Sequence, residues 1–296
     1  MSKTRTGETW TELFVPAAAA VSDVRGLTAT ERLFTLELKD GRPLDHEPGQ
    51  FVQVSIFGFE EAPISVCSSQ RPGEAAFQLC VRRTGRLTKA MHELRVGQEI
   101  GIRGPLGKGF PLGELAGKDI LLIAGGIGLA PMRSLIQHCL GHAADYGTLT
   151  LLYGAKRPAE MLFRDELEQW RSGGRIDVRL IVDVGDAEWP GPVGLITELI
   201  GPLEVKAERT ASVIVGPPVM YRPVISGLCD KGLSGERIFL SLERHMRCGV
   251  GKCGHCIIGA SYGRGRPDEK TAAVLYCCID GPVFSLAELT GVEGAF

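Results

Sequence analysis

No hydrophobic run in this chain is long enough to cross a bilayer. The most apolar stretch, Ile120 to Met132, is broken by glycines and falls short of the ~20 apolar residues that a membrane helix needs. A secretory leader is not expected either. Glu8 and Glu12 stand where a basic start belongs, and Pro16 interrupts the apolar part of "LFVPAAAAV". Clustered basic residues are also missing. Thirty-three Lys and Arg face 35 Asp and Glu, for a net charge of -2, which argues against a nucleic-acid partner. The nine cysteines are odd in number and lack the regular spacing of a secreted disulfide scaffold. A reducing, cytoplasmic setting without membrane insertion is the expectation. Internal repeats and low-complexity segments are absent.

What is present is a core-forming composition, 44% hydrophobic, with 39 glycines for tight turns. At 296 residues, two domains and an appendage are expected. The first ~100 residues alternate in period two, as half-buried strands do. "FTLELK" puts Phe34, Leu36 and Leu38 on one face; "FVQVSI" does so with Val52, Val54 and Ile56, and "FQLCVR" with Phe77, Leu79 and Val81. Gly/Pro turns between such strands predict an antiparallel barrel or sandwich. From Asp119 the rhythm changes. "DILLIAGG" is continuously apolar, as a strand buried on both faces should be, and a helical stretch follows to Leu140. Further strands, "TLTLLYGA", "IDVRLIVDV", "ASVIVG" and "RIFLSL", alternate with helices, one of them "MLFRDELEQW" with Phe163, Leu167 and Trp170 in one stripe. That order predicts a parallel α/β sheet. The boundary falls in "GPLGKGFPLGELAG".

Five of the nine cysteines crowd the C-terminal region. Cys248, Cys253 and Cys256 stand as C-x4-C-x2-C, the spacing of plant-type [2Fe–2S] ligands, with a fourth cysteine further on. Two irons and two sulfides need four converging thiolates. Gly249, Gly251 and Gly254 allow the tight curl and offer N–H groups to the sulfurs. Structural zinc is the competing reading, supported by His245 and His255. The fourth ligand is Cys277 or Cys278, since neighbours on a strand point to opposite faces.

"IAGGIGLAPMRSL" follows a buried strand and opens a helix, so Gly125, Gly126 and Gly128 allow a pyrophosphate to approach the helix N-terminus. It is not the G-x-G-x-x-G fingerprint. A second turn, "VGPPVM", ends another strand, and in parallel sheets ligands sit at strand carboxyl ends, where the two loops converge. His138 and His142, one helical turn apart, read as surface or packing residues. "APISV" and "VRRTGRLTKAM" are individually bland, a strand edge and a basic turn.

In this order the motifs resemble the ferredoxin–NADP reductase superfamily. The similarity is to its branch with a C-terminal [2Fe–2S] lobe, which includes hydrogenase gamma subunits, the B subunit of anaerobic sulfite reductase and the electron-transfer subunit of dihydroorotate dehydrogenase. It extends from about residue 14 onward. It implies an antiparallel FAD-binding β-barrel (14–114, after an extension over 1–13), a parallel α/β NAD(P)-binding domain (115–242) and a [2Fe–2S] lobe (243–296). The family's x-D-G-P-V-F signature follows Cys278, which implies Cys278 as the fourth ligand, with Cys277 a packed neighbour. Ala62-Pro63-Ile64-Ser65 stands where the reductases have R-x-Y-S, so arginine and tyrosine are both missing. Arg82 is the expected substitute at the FAD pyrophosphate, with Gly85, Leu87 and Thr88 in its phosphate turn. Gly125, Gly126, Gly128, Ala130, Pro131, Tyr153, Gly154, Lys156, Gly216, Pro217 and Met220 are the expected nicotinamide-dinucleotide contacts. The resemblance implies electron flow between NAD(P)H and a partner redox subunit of a nickel–iron hydrogenase or related iron–sulfur reductase complex, through FAD and the [2Fe–2S] cluster. Hydride transfer needs positioning and potential tuning rather than an acid–base residue, so no catalytic triad is expected.

Overall fold

The computed structural model describes residues 13–71, 73–261, 273–292 and 294–295. Strands β1 (Ala17–Gly26), β2 (Glu31–Leu38), β3 (Phe51–Ser55), β4 (Glu61–Ser65), β5 (Phe77–Arg82) and β6 (Glu99–Leu106) form one antiparallel sheet in the order β4-β3-β6-β1-β2-β5. A bridge between Val66 and Leu79 links the two edges and closes the barrel. The alternating residues Phe34, Leu36, Leu38, Val52, Val54, Phe77, Leu79 and Val81 fill it. Each such burial is worth roughly 1.5–3 kcal/mol. Helix α1 (Arg86–Glu93) adds Leu87 and Met91 to the same core.

After the short helix α2 (Leu112–Leu115), the second sheet runs β14-β11-β10-β7-β8-β9. It is built from β7 (Asp119–Gly125), β8 (Leu149–Ala155), β9 (Ile176–Val182), β10 (Thr210–Val215) and β11 (Ile238–Ser241), all parallel, with β14 (Val283–Ser285) antiparallel at the edge. Along β7, Ile120, Leu122 and Ala124 enter one core while Leu121 and Ile123 enter the other. This accounts for the unbroken apolar run. Helices α3 (Leu129–Gly141) and α4 (Arg164–Ser172) cover the first face, and α5 (Pro218–Asp230) covers the second. Helix α4 starts later than its stripe predicts. Phe163 adopts the left-handed conformation at the N-cap, yet Phe163, Leu167 and Trp170 are all buried.

The hairpin β12 (Ile257–Ser261) and β13 (Ala273–Tyr276), with the short helix α6 (Leu286–Leu289), completes the chain. Cys256, Ile258, Cys277 and Cys278 pack in the same core as α5, so the C-terminal lobe shares the sheet's second face. Among the described residues no helix is long and apolar enough to cross a membrane.

Candidate functional site

The cysteine loop curls as its glycines allow. Gly249, Gly251 and Gly254 all have φ between +72° and +77°, the region that side chains disfavour. A Cβ on Gly251 would sit 2.6 Å from Ile279. The curl aims backbone donors at sulfur: Val250 and Lys252 N–H groups lie 3.4 and 3.3 Å from Cys248 Sγ, and Gly251 N lies 3.1 Å from Cys278 Sγ. Among the described residues no three His, Cys, Asp or Glu side chains converge as ligands of a single ion. Cys253 hydrogen-bonds with Cys248 and Cys278 with Cys256, and Cys248 also acts electrostatically on Cys278, so the four thiols form one connected set. Two thiolates for each of two irons suit a dinuclear cluster better than one tetrahedral zinc. A hydrogen bond from the His255 backbone, reinforced by Cys248, lowers the Cys253 thiol to about 6, which favours the thiolate that a metal requires. Burial, then the Cys256 thiol, pushes Cys278 the other way until metal replaces the proton.

Cys277 and Cys278 follow β13 in a turn rather than on a strand, and still diverge. Cys277 donates its S–H to the Leu242 carbonyl, 3.1 Å away, and burial raises it to about 12. Cys278 alone faces the loop glycines.

A cavity of about 450 Å³ opens between the barrel and the α/β sheet. It is lined by Ala62, Pro63, Ile64, Ser65, Arg82 and Thr88 from the barrel, by Ala130 and Pro131 from the start of α3, and by Ser241 to Arg244 and Met246 after β11. The structure thereby brings together most of the residues expected at a flavin. Arg82 is oriented by a short hydrogen bond from its Nε to Glu31. Thr88 Oγ1 accepts N–H bonds from Thr84 and Gly85, at 3.0 and 2.9 Å, and shapes the turn before α1. Gly85 is the N-cap of α1, and Leu87 puts its side chain into the barrel core, which leaves only its backbone for a ligand.

The two nucleotide turns touch. A Cβ on Gly128 would lie 2.3 Å from the Val215 carbonyl oxygen, and one on Gly125 would lie 2.7 Å from Met220 Sδ. A Cβ on Gly216 would likewise meet Met220, and Pro217 is the N-cap of α5. Gly126, with φ +54°, makes the turn into α3. Tyr153 is a correction. Its side chain is fully buried, its hydroxyl accepts the Leu162 N–H at 3.1 Å, and burial raises its pKa. It belongs to the core and presents no surface to a dinucleotide. Gly154 packs near Ile196, and Lys156 is exposed just past β8. His138 and His142 stack at 4.3 Å, and His142 Nδ1 pairs with the His138 carbonyl, as packing residues do.

Sequence reasoning missed Phe51, Cys80, Glu243, Arg244 and Met246 on the cavity wall. Glu243 opens to solvent through the cavity, yet protein crowds its carboxyl and burial raises its pKa against the pull of Arg82. No motif marks these positions; only the approach of the β11 tail to the barrel reveals them. Met246 precedes Cys248, the first cysteine of the loop, by two residues, at most about 7 Å of chain. The cavity wall therefore runs directly into the cysteine loop.

Comparison with known proteins agrees with this geometry. Residues 18–110 match the oxidoreductase FAD-binding domain, 122–225 the oxidoreductase NAD-binding domain, and 243–290 the iron–sulfur cluster binding domain of dihydroorotate dehydrogenase B. The gamma subunit of sulfhydrogenase 2 from Pyrococcus furiosus is 41% identical, covering 93% of this chain and 96% of its own. A probable dihydroorotate dehydrogenase B electron transfer subunit from Methanocella arvoryzae is 32% identical over 91% and 90%. Among solved structures, an NADH-dependent reduced ferredoxin–NADP oxidoreductase superposes with TM-score 0.72 at 21% identity, covering 97% of this chain and 91% of that one.

Proposed function

The chain belongs to the family of flavin and iron–sulfur electron-transfer subunits that includes the sulfhydrogenase gamma subunits and the electron transfer subunits of dihydroorotate dehydrogenase B, and from that premise we propose that it moves electrons between NAD(P)H and a hydrogenase-type redox partner. The observation that carries this reading is the single cavity that the barrel, the α3 turn and the β11 tail share, ending at the cysteine loop. When bound, FAD accepts a hydride as an electron pair and releases electrons singly, and the [2Fe–2S] cluster carries them one at a time.

The residues do the positioning. The Gly125–Gly128 turn and Gly216 let the dinucleotide lie against the backbone, with the α3 N-terminus toward its pyrophosphate. Ala62 to Ser65 and Thr88 hold the flavin, and Arg82 supplies the charge that the missing arginine of the flavin motif would have given. Cys248, Cys253, Cys256 and Cys278 hold the cluster. Cys253 is exposed, and electrons leave for the partner on that side. The exposed Lys156 and Arg157 give a 2′-phosphate two cations, so NADPH is accepted alongside NADH.

Anaerobic mixing of the purified flavoprotein with NADH or NADPH tests hydride transfer, and copurification identifies the partner. Bleaching of the flavin by either nucleotide, with a hydrogenase subunit in the copurified complex, is the expected result. A flavin that neither nucleotide reduces would refute the reading. The partner's identity separates a hydrogenase from a dihydroorotate dehydrogenase or sulfite reductase complex. Turnover of the isolated chain with soluble ferredoxin would mark a free-standing reductase.

A further inference from the structure

Where the barrel meets the cysteine loop, an arginine is buried that none of the cofactor motifs contains. Arg103, on β6, has a side chain only 3% exposed. Its Nε donates to Glu61 Oε1 at 2.9 Å, and Nη2 pairs with the other oxygen of the same carboxylate. Nη1 donates to the Leu13 carbonyl at 3.0 Å. Nη2 also donates, at 3.1 Å, to the backbone carbonyl of Cys248, a cluster ligand. The guanidinium thus joins β4, one residue before the flavin-cavity residue Ala62, to the first cysteine of the loop.

Gln53 stands beside it on β3. It is the cross-strand partner of Arg103 on one side and of Pro63 on the other. Its amide Nε2 reaches the Arg247 carbonyl at 3.5 Å, while its buried Oε1 has no partner among the described residues. The loop comes so close here that a Cβ on Gly249 would lie 3.2 Å from Gln53 Cγ and 2.9 Å from Leu106 Cδ1. Two buried polar side chains of the barrel therefore grip consecutive carbonyls of the cysteine loop.

We propose that Arg103, backed by Gln53, is a positioning residue that clamps the cluster loop against the flavin barrel and sets the cluster's reduction potential, a role that rests on the four-cysteine cluster reading above. The physical basis is charge. Reduction adds one negative charge to the cluster, and a buried cation hydrogen-bonded to a ligand's backbone stabilises it. The Cys248 carbonyl and the Glu61 carboxylate share Nη2, and the carboxylate, bonded to the guanidinium rather than to the loop, opposes that effect. The pair presents the guanidinium, not the carboxylate, to the Cys248 carbonyl.

The test is an EPR-monitored redox titration of the full-length holoprotein and of R103Q, E61Q, R103Q/E61Q and R103K, each with iron and acid-labile sulfide measured per flavin. R103Q is expected to shift the one-electron equilibrium about tenfold against cluster reduction, or ~59 mV downward for a one-electron couple. E61Q is expected to shift it upward by less, the double variant to lie between them, and R103K, which keeps the charge, to stay near the parent. Unchanged potentials in R103Q and E61Q would overturn the proposal and leave Arg103 as an anchor for Leu13 alone. If R103Q fails to retain iron, E61Q, with Arg103 intact, decides by the same criterion. A parent protein with no cluster signal would instead refute the cluster reading, which is a distinct outcome.

Discussion

Two adjacent thiols, Cys277 and Cys278, are both buried and differ in what they meet. Cys277 donates its S–H to the Leu242 carbonyl, and Cys278 Sγ accepts the Gly251 N–H beside Cys256. Cys278→Ser is therefore expected to lose most of the cluster, while Cys277→Ser keeps it; iron per flavin in the two purified variants reports the difference. Glu31 makes a second prediction at this scale. Burial alone would raise its carboxyl, but hydrogen bonds from Thr28, Arg82 and Thr30 outweigh that and hold it below the ordinary glutamate value. The stability it contributes is present above that ordinary value and is lost as pH falls through the lowered one. Glu31→Gln should cost about 1–3 kcal/mol at neutral pH and flatten the acid limb of a Tm-against-pH profile. A parallel downward displacement of the whole profile would contradict this account. The spacing of Cys248, Cys253 and Cys256 points to a cluster loop from sequence because a cluster's ligand geometry is local, and the iron–sulfur domain match covers that loop. The choice between Cys277 and Cys278 required a family resemblance, since the groups that separate them, Leu242 and Gly251, are distant in sequence.

Among the elements, β7 could be read directly, because a strand buried on both faces has no alternation to disguise it. Strand β3 could not. Its alternation predicts an outward Gln53, yet Gln53 is fully buried because residues 247 to 249 cover it from almost 200 positions away. The same limit applies to Tyr153, which sits where a ligand contact is expected but points into the core. The turns that meet at the strand ends give a test at this scale. Gly128 abuts the Val215 carbonyl so closely that a methyl group forces α3 and β10 apart. Gly128→Ala should weaken binding of NADH and of NADPH at least tenfold, which corresponds to about 1.4 kcal/mol, and should slow flavin reduction in proportion while iron content stays at the parent level. Parent-like nucleotide affinity would show that this turn does not carry the dinucleotide.

Across the whole molecule, the three parts are joined around one cavity. The Lys108 N–H bonds to the Gly281 carbonyl at 2.6 Å, tying the end of the barrel to the segment between Cys278 and β14, and β14 joins the edge of the parallel sheet. The period-two and continuous apolar rhythms made the first two parts legible in sequence. The way the third closes over both was not, because it depends on contacts such as Lys108 with Gly281 that no local pattern encodes. The most direct test is to reduce the anaerobic holoprotein with an excess of NADH or NADPH and record the EPR signal of the reduced cluster alongside flavin absorbance. The account predicts that the flavin bleaches and that about one reduced [2Fe–2S] centre appears per flavin. A bleached flavin beside a cluster that stays oxidised, or a protein that carries zinc and no sulfide, would contradict it.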